Sequence, residues 1–120
     1  MRGWEGGLEG LYAHLDSSFQ ISPPTALIAS SCPNYFATQS FLLNRGIRVP
    51  QDLSLICVDD EPHFSQCRPS VSHIRWSSRS VANRIVRWVR NIREGKKDTR
   101  QTMIKAEFVE GGTMGPAPEE

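Results

Sequence analysis

The fifteen residues Gly46-Ile47-Arg48-Val49-Pro50-Gln51-Asp52-Leu53-Ser54-Leu55-Ile56-Cys57-Val58-Asp59-Asp60 constrain this chain most. They read as helix stop, tight loop, buried strand, then two carboxylates. Gly46 supplies the positive φ that closes a helix, and Pro50 prevents its continuation. Leu53, Leu55, Ile56 and Val58 form a short apolar run, as expected of a parallel strand covered on both faces. Asp59 and Asp60 follow at the carboxyl end of that strand, the edge where open α/β sheets bind ligands. A carboxylate is acceptor-only there, which suits hydroxyl-rich ligands.

The flanking sequence extends this pattern. Leu8 to Leu15 predicts a short helix with Leu8, Leu11, Tyr12 and Leu15 on one face. Ser17 to Pro24 reads as a loop and Thr25 to Ala29 as a short strand. Ser31 can cap a following helix, with Pro33 in its first turn and Tyr35, Phe36, Phe41, Leu42 and Leu43 along it. Val71 to Arg75 reads as a third strand and Met103 to Val109 as a last one. Between them, residues 79–94 predict an amphipathic helix whose Val81, Ile85, Trp88, Val89 and Ile92 form one stripe. Gly111 to Pro118 reads as a tail. The order fits an α/β layered fold.

Bulk properties exclude more than they select. A chain of 120 residues with 38% hydrophobic and 22% charged content is globular, and its net charge of +1 names no partner. Residues 68–105 nevertheless hold eleven Lys or Arg against two acids, Glu94 and Asp98. Three cysteines without paired spacing, and no targeting segment, point to a reducing cytoplasm. No run approaches a membrane span. Cys57, His63, Cys67 and His73 lack the paired thiols of a zinc site, and no phosphate loop or catalytic triad motif is present, so neither a metal, a cofactor nor catalysis is expected.

Several segments in register give the chain a family likeness. Pro24 to Ala29, Gly46 to Ser54, Val58-Asp59-Asp60, Pro69 to Arg75 and Ala106 to Thr113 resemble the lactose-repressor (LacI/GalR) family of bacterial transcription regulators. The likeness runs from about Gly6 to Pro118. The Cys67-Arg68-Pro69, His73-Ile74-Arg75-Trp76 and Gly111-Gly112-Thr113 variants resemble a subgroup with a GntR-type winged-helix head.

The resemblance implies part of a periplasmic-binding-protein-like (type I) module, an incomplete three-layer parallel-sheet lobe. Residues 1–75 correspond to the second lobe and 76–105 to a return segment of the first. Residues 106–113 correspond to a final strand of the second lobe, and 114–120 to a tail. It implies a sugar-like effector held between two lobes, a homodimer, and DNA contact only through a head that this chain lacks.

Asp59 matches the family carboxylate that holds a sugar hydroxyl, although a loop Asp can also cap local amides. Ser31 and Cys32 replace a family Asn-Asp pair, and Ser31 serves equally as a ligand hydroxyl or an N-cap. Pro33 and Val58 flank the same crevice. Trp76 stands where Gln is common and can stack on a sugar or anchor the lobes. Tyr35, Phe36, Phe41, Phe64 and Cys67 are expected at the dimer interface. Apart from the family, the Arg68–Lys105 region alone would suit a basic nucleic-acid-binding or adaptor domain. The Arg84/Arg87/Arg90/Arg93 stripe reads more simply as a solvated helix face.

Two physical expectations follow. One lobe encloses only part of a ligand, so this chain alone binds sugars poorly or not at all. The 79–94 stripe should not stay wet, and packing against another copy by exchange of residues 76–105 is expected over folding back.

Overall fold

The computed structural model describes residues 7–117. The start of the chain, read above for targeting signals, and the last residues of the tail lie outside the described residues. Helix α1 (Gly7–Ile21) is followed by β1 (Ala26–Ala29), α2 (Cys32–Asn44), β2 (Ser54–Cys57), a 3-10 turn (Pro62–Gln66), β3 (Ser72–Trp76), α3 (Ser78–Arg93) and β4 (Ala106–Val109). The four strands form one sheet in chain order. β1, β2 and β3 are parallel, and β4 returns antiparallel beside β3. The α/β class and the mostly parallel sheet are as expected; the antiparallel β4 was not foreseen.

Helix α1 runs past the predicted stop at Leu15 to Ile21. Phe19 continues the face begun by Leu11 and Leu15, and its ring lies 5.8 Å from that of Phe41 on α2. Ser18 stays helical by donating its hydroxyl to the His14 carbonyl four residues back. Gly46 has φ +69°, as the helix stop requires, with Arg45 ahead of it pairing with Asp16 and lying over the Phe41 ring. α1 and α2 are thus joined by an aromatic seam and one ion pair.

The core lies on one face of the sheet. Leu27 pairs with Leu55, and Ala29 with Cys57, so these side chains share a face. His73 pairs with Cys57 and joins them. Tyr35, Leu42 and Phe64 pack into the same cluster. Each such large side chain contributes about 1.5–3 kcal/mol of burial. The opposite face differs from the expectation of two covered sides: Ile28 is 69% exposed and Ile56 half-buried. Within this chain no helix packs there, so only two of three expected layers are present among the described residues.

Two sequence readings need correction. The supposed tail folds across the base of the sheet. Thr113 is buried; its hydroxyl accepts from Ser72 N at 2.9 Å and its carbonyl from Leu55 N at 2.9 Å. Gly115 N donates to Ser54 Oγ at 2.9 Å. The last strand is also shorter than read, starting at Ala106 rather than Met103.

Helix α3 is bounded nearly as predicted, but none of its residues is buried and it packs against no other helix or strand. Ile85, Val89 and Ile92 are exposed, and Trp88 is 45% exposed. The stripe neither folds back on the sheet nor finds cover within the chain. The expectation that the stripe would not stay wet is therefore not met by the chain alone. A local brace that the sequence reading missed lies beside it. Asp98 accepts from Arg84 at 2.8 Å and from Asn91 at 2.9 Å, while Trp88 Nε1 donates to the Asp98 carbonyl at 3.1 Å. Arg84 therefore does not belong to a solvated arginine face; it ties the 96–102 segment to α3.

Candidate effector site

The carboxyl ends of β1 and β2 are stitched together. Val58 N donates to the Ala29 carbonyl at 2.9 Å, and the Cys32 thiol approaches the Asp60 carbonyl at 3.8 Å. Ser31, Pro33, Val58 and Asp59 therefore sit along one sheet edge, where the sequence placed them. Ser31 is extended (φ −149°, ψ 162°), and its hydroxyl accepts from Asn34 N at 3.3 Å. That is the N-cap role, with Pro33 in the first turn of α2. Asp59 accepts from Asp60 N at 2.9 Å, a local capping bond made with one oxygen.

Asp60 is the more committed carboxylate. Its Oδ1 lies 3.2 Å from Nε2 of His73, which is only 7% exposed. His73 Nδ1 lies 2.8 Å from the Val71 carbonyl. A carbonyl only accepts, so Nδ1 carries a proton. Nε2 then donates to Asp60 only when the ring is doubly protonated. The ring also packs 5.1 Å from Phe64. This arrangement fixes the loop after β2 to the core.

Strand β3 extends past its neighbour. His73 is level with Cys57, so Trp76 stands three residues, about 10 Å, beyond that level. The chain leaves the sheet there for α3 and re-joins it at Ala106, directly opposite Trp76. Trp76, 40% exposed, faces a cavity of about 630 Å³ shared with Asp60, Arg75, Arg79, Lys105 and Glu107. Val58 instead lines an apolar cavity of about 420 Å³ between α1, β1 and α2. The predicted effector residues thus share an edge, but only Trp76 faces the cavity beside the β3–β4 ends. Asp60, Arg79 and Lys105 there were not singled out as effector contacts; their sequence signal is only proximity to the two strand ends.

The cysteines offer no nucleophile. Burial, then the neighbouring Cys57 and Asp59, push the Cys32 thiol up to about 12, so it stays protonated near neutrality. Cys57 is buried in β2, Cys67 approaches the His63 carbonyl, and His63 pairs with Glu61. Among the described residues, no group of three or more His, Cys, Asp or Glu side chains converges as metal ligands would.

The expected contact face between copies is revised. Tyr35 and Phe64 are fully buried, their rings 5.3 Å apart, and Phe41 is buried against α1. Their size makes them core residues of the protomer rather than surface groups. Phe36, 42% exposed, and half-buried Cys67 remain outside. No helix among the described residues is long and apolar enough to cross a membrane.

Known proteins place this arrangement. The chain superposes on a LacI family transcriptional regulator from Bifidobacterium animalis subsp. lactis with a TM-score of 0.78 at 20% identity, covering 92% of this chain and 41% of that one. For the regulator CcpA of Lactococcus lactis the values are 0.76, 13%, 92% and 41%. For a LacI family regulator from Enterococcus faecium with bound ribose they are 0.76, 16%, 96% and 43%. The chain spans about two fifths of the length of these structures. No curated protein matches it significantly. The family model of the periplasmic binding protein-like domain matches residues 2–114, and the chain belongs to that family.

Proposed function

We propose that this chain is the second-lobe part of the effector-binding module of a bacterial transcriptional regulator. One observation carries the reading. The chain leaves a parallel sheet at Trp76, builds a helix that packs on nothing within the chain, and returns beside the same strand at Ala106. A segment of that kind suits a second lobe across a hinge, with the Ser31–Asp59 edge facing the gap. The ribose-bound relative from Enterococcus faecium supports a sugar-like ligand there. Asp59 keeps a second oxygen for a hydroxyl, in a charge-assisted hydrogen bond. Val58 and Pro33 give apolar contact, and Trp76 stacks on the ring.

No catalytic step is involved. Ligand between the lobes biases their relative rotation, which requires unequal affinity for the two lobe arrangements. A homodimer passes the change to DNA-reading heads in the cytoplasm. The contact between copies centres on Phe36 and Cys67, because Tyr35, Phe41 and Phe64 are used inside the protomer. Light scattering at high micromolar concentration checks this face: a strict monomer, unchanged by Phe36→Asp, refutes it.

Calorimetry tests the two-lobe reading. One wall encloses too little of a sugar for tight binding. The chain alone should therefore show only weak heats with ribose and common hexoses. A dissociation constant below about 10 μM, near −7 kcal/mol, overturns the reading.

A further inference from the structure

The sheet lacks cover on one face, and α3 lacks a surface to cover. Ile28 pairs with Ile56 across β1 and β2, and Ile74 with Phe108 across β3 and β4. Ile56 also pairs with Ser72, two residues before Ile74 on the same strand. All four apolar side chains therefore share the face on which no helix packs. Ile28 is 69% exposed there and Phe108 50%. Parallel sheets are ordinarily covered on both faces.

Helix α3 has the complementary deficit. Ile85, Trp88, Val89 and Ile92 form one stripe, each about half exposed. The connection keeps the helix off its own sheet. Only Ser77 separates β3 from α3, and its hydroxyl is used as the N-cap, accepting from Ser80 N at 3.2 Å. Connections that return a helix onto its own sheet take about 2–6 residues. The chain is accordingly elongated: its radius of gyration is 18.4 Å, against ~14 Å for a compact chain of this length.

We propose that two copies of this chain exchange α3, each helix lying on the open sheet face of the other. The inference goes beyond the effector-lobe reading and does not rest on it. Charge selects this occupant. Residues 7–67 hold six acids against two Lys or Arg, whereas residues 78–105 hold nine Lys or Arg against two acids. Pairing α3 with α3 would set two arginine-rich helices side by side; exchange sets each against the acidic part of its partner. Size agrees with this. A helix about 10 Å across lies over the middle of a four-stranded sheet roughly 15 Å wide, above Ile56 and Ile74, with Ile28 and Phe108 at its flanks. The exchange is reciprocal, so the contact is isologous and closes as a dimer.

The test is sedimentation velocity of the 120-residue chain from roughly 5 to 500 μM, with isotope-filtered NOE spectra of an equal mixture of ¹³C-labelled and unlabelled chain. A dimer is expected, with intermolecular NOEs from the Ile85, Val89 and Ile92 methyls to Ile28, Ile74 and Phe108. Ile28→Lys and Val89→Asp should each raise the dissociation constant at least about tenfold. Phe36→Asp, on the separate contact face proposed above, should keep these NOEs. Ile28 and Val89 are exposed in the protomer, so both variants stay folded, which amide spectra at low concentration verify.

A chain that is monomeric at the highest concentration overturns the inference, and so does a dimer that neither Ile28→Lys nor Val89→Asp weakens. NOEs from α3 to the α3 of the other copy, or to the sheet within a single chain, overturn it as well. A monomer whose Trp88 emission shifts to the blue only on phosphatidylglycerol vesicles assigns the stripe to a lipid surface instead. None of these outcomes touches the effector-lobe reading, which sugar calorimetry tests separately.

Discussion

Gly111→Ala probes the least expected part of the structure, the closure of the sheet base by residues 110–115. A Cβ at Gly111 would lie 2.4 Å from the Ser70 carbonyl oxygen, 2.7 Å from the Val71 carbonyl carbon and 2.8 Å from Ser72 N. All three are backbone atoms leading into β3, so no side chain can swing away. The chain must move apart by up to an ångström, which costs about 1–3 kcal/mol as overpacking. The movement also strains Gly112 N to Ser70 O at 2.7 Å and Gly111 N to Ser72 Oγ at 3.0 Å. Each such bond contributes about 0.5–1.5 kcal/mol. The sum is about 2–6 kcal/mol, a large share of the ~5–15 kcal/mol of a typical domain.

Gly46→Ala is the internal control. It meets nothing within 4 Å and suffers only from φ +69°, a cost of about 1–2 kcal/mol. In urea, with an m value of about 1.5 kcal/mol/M, Gly111→Ala should lower the midpoint by about 1.3–4 M and Gly46→Ala by about 1 M. A Gly111→Ala midpoint no lower than that of Gly46→Ala refutes the close approach.

Two further outcomes are expected. The Tyr35 hydroxyl is buried with no hydrogen-bond partner, and burial pushes the phenol up to about 12. Tyr35→Phe should leave stability unchanged or raise it by about 1 kcal/mol in the same urea assay; a loss above ~1 kcal/mol would show that the hydroxyl has a partner. Hydrogen bonds from Arg84, and next Asn91, hold the Asp98 carboxyl down at about 2. Its ordinary value is near 3.9, so its support for the α3 brace is complete above about pH 4 and disappears as pH falls through 2. Trp88 fluorescence followed from pH 6 to pH 2 should report that loss, and Asp98→Asn should abolish its pH dependence; an identical profile in the variant contradicts the brace.

The elements were legible where local chemistry decides them. Gly46, and Ser31 with Pro33, each act within a few residues, and the structure uses them as read; the Leu53–Val58 run gives a parallel strand, but one covered on a single face, with Ile56 half-buried and Val58 exposed. The 79–94 periodicity likewise gave α3 almost to its ends. What failed depends on partners distant in sequence. Thr113 is buried because it meets Ser72 and Leu55, which no local pattern announces. Tyr35 and Phe64 were assigned to a surface because aromatic residues suit interfaces as well as cores; only their mutual contact under β3 separates the two. Asp98 looked like a lone acid among cations until the chain reversal after Gly95 set it beside Arg84 and Asn91. At the site, the sheet edge could be located from the strand ends. The Asp60–His73 approach could not, because it joins elements through sheet register.

The most direct measurement of the central reading is effector titration of a two-lobed protein carrying this sequence, wild type against Asp59→Asn, with operator binding measured in parallel. Asp59 sits at the carboxyl edge with one oxygen used locally, and a hydrogen bond from a ligand to a charged group contributes about 1.5–3 kcal/mol. The expected result is effector binding weakened roughly ten- to hundredfold, with operator affinity in the absence of effector unchanged. Effector affinity equal to wild type, or loss of operator binding by the variant alone, would contradict the assignment of this sheet edge as the effector wall.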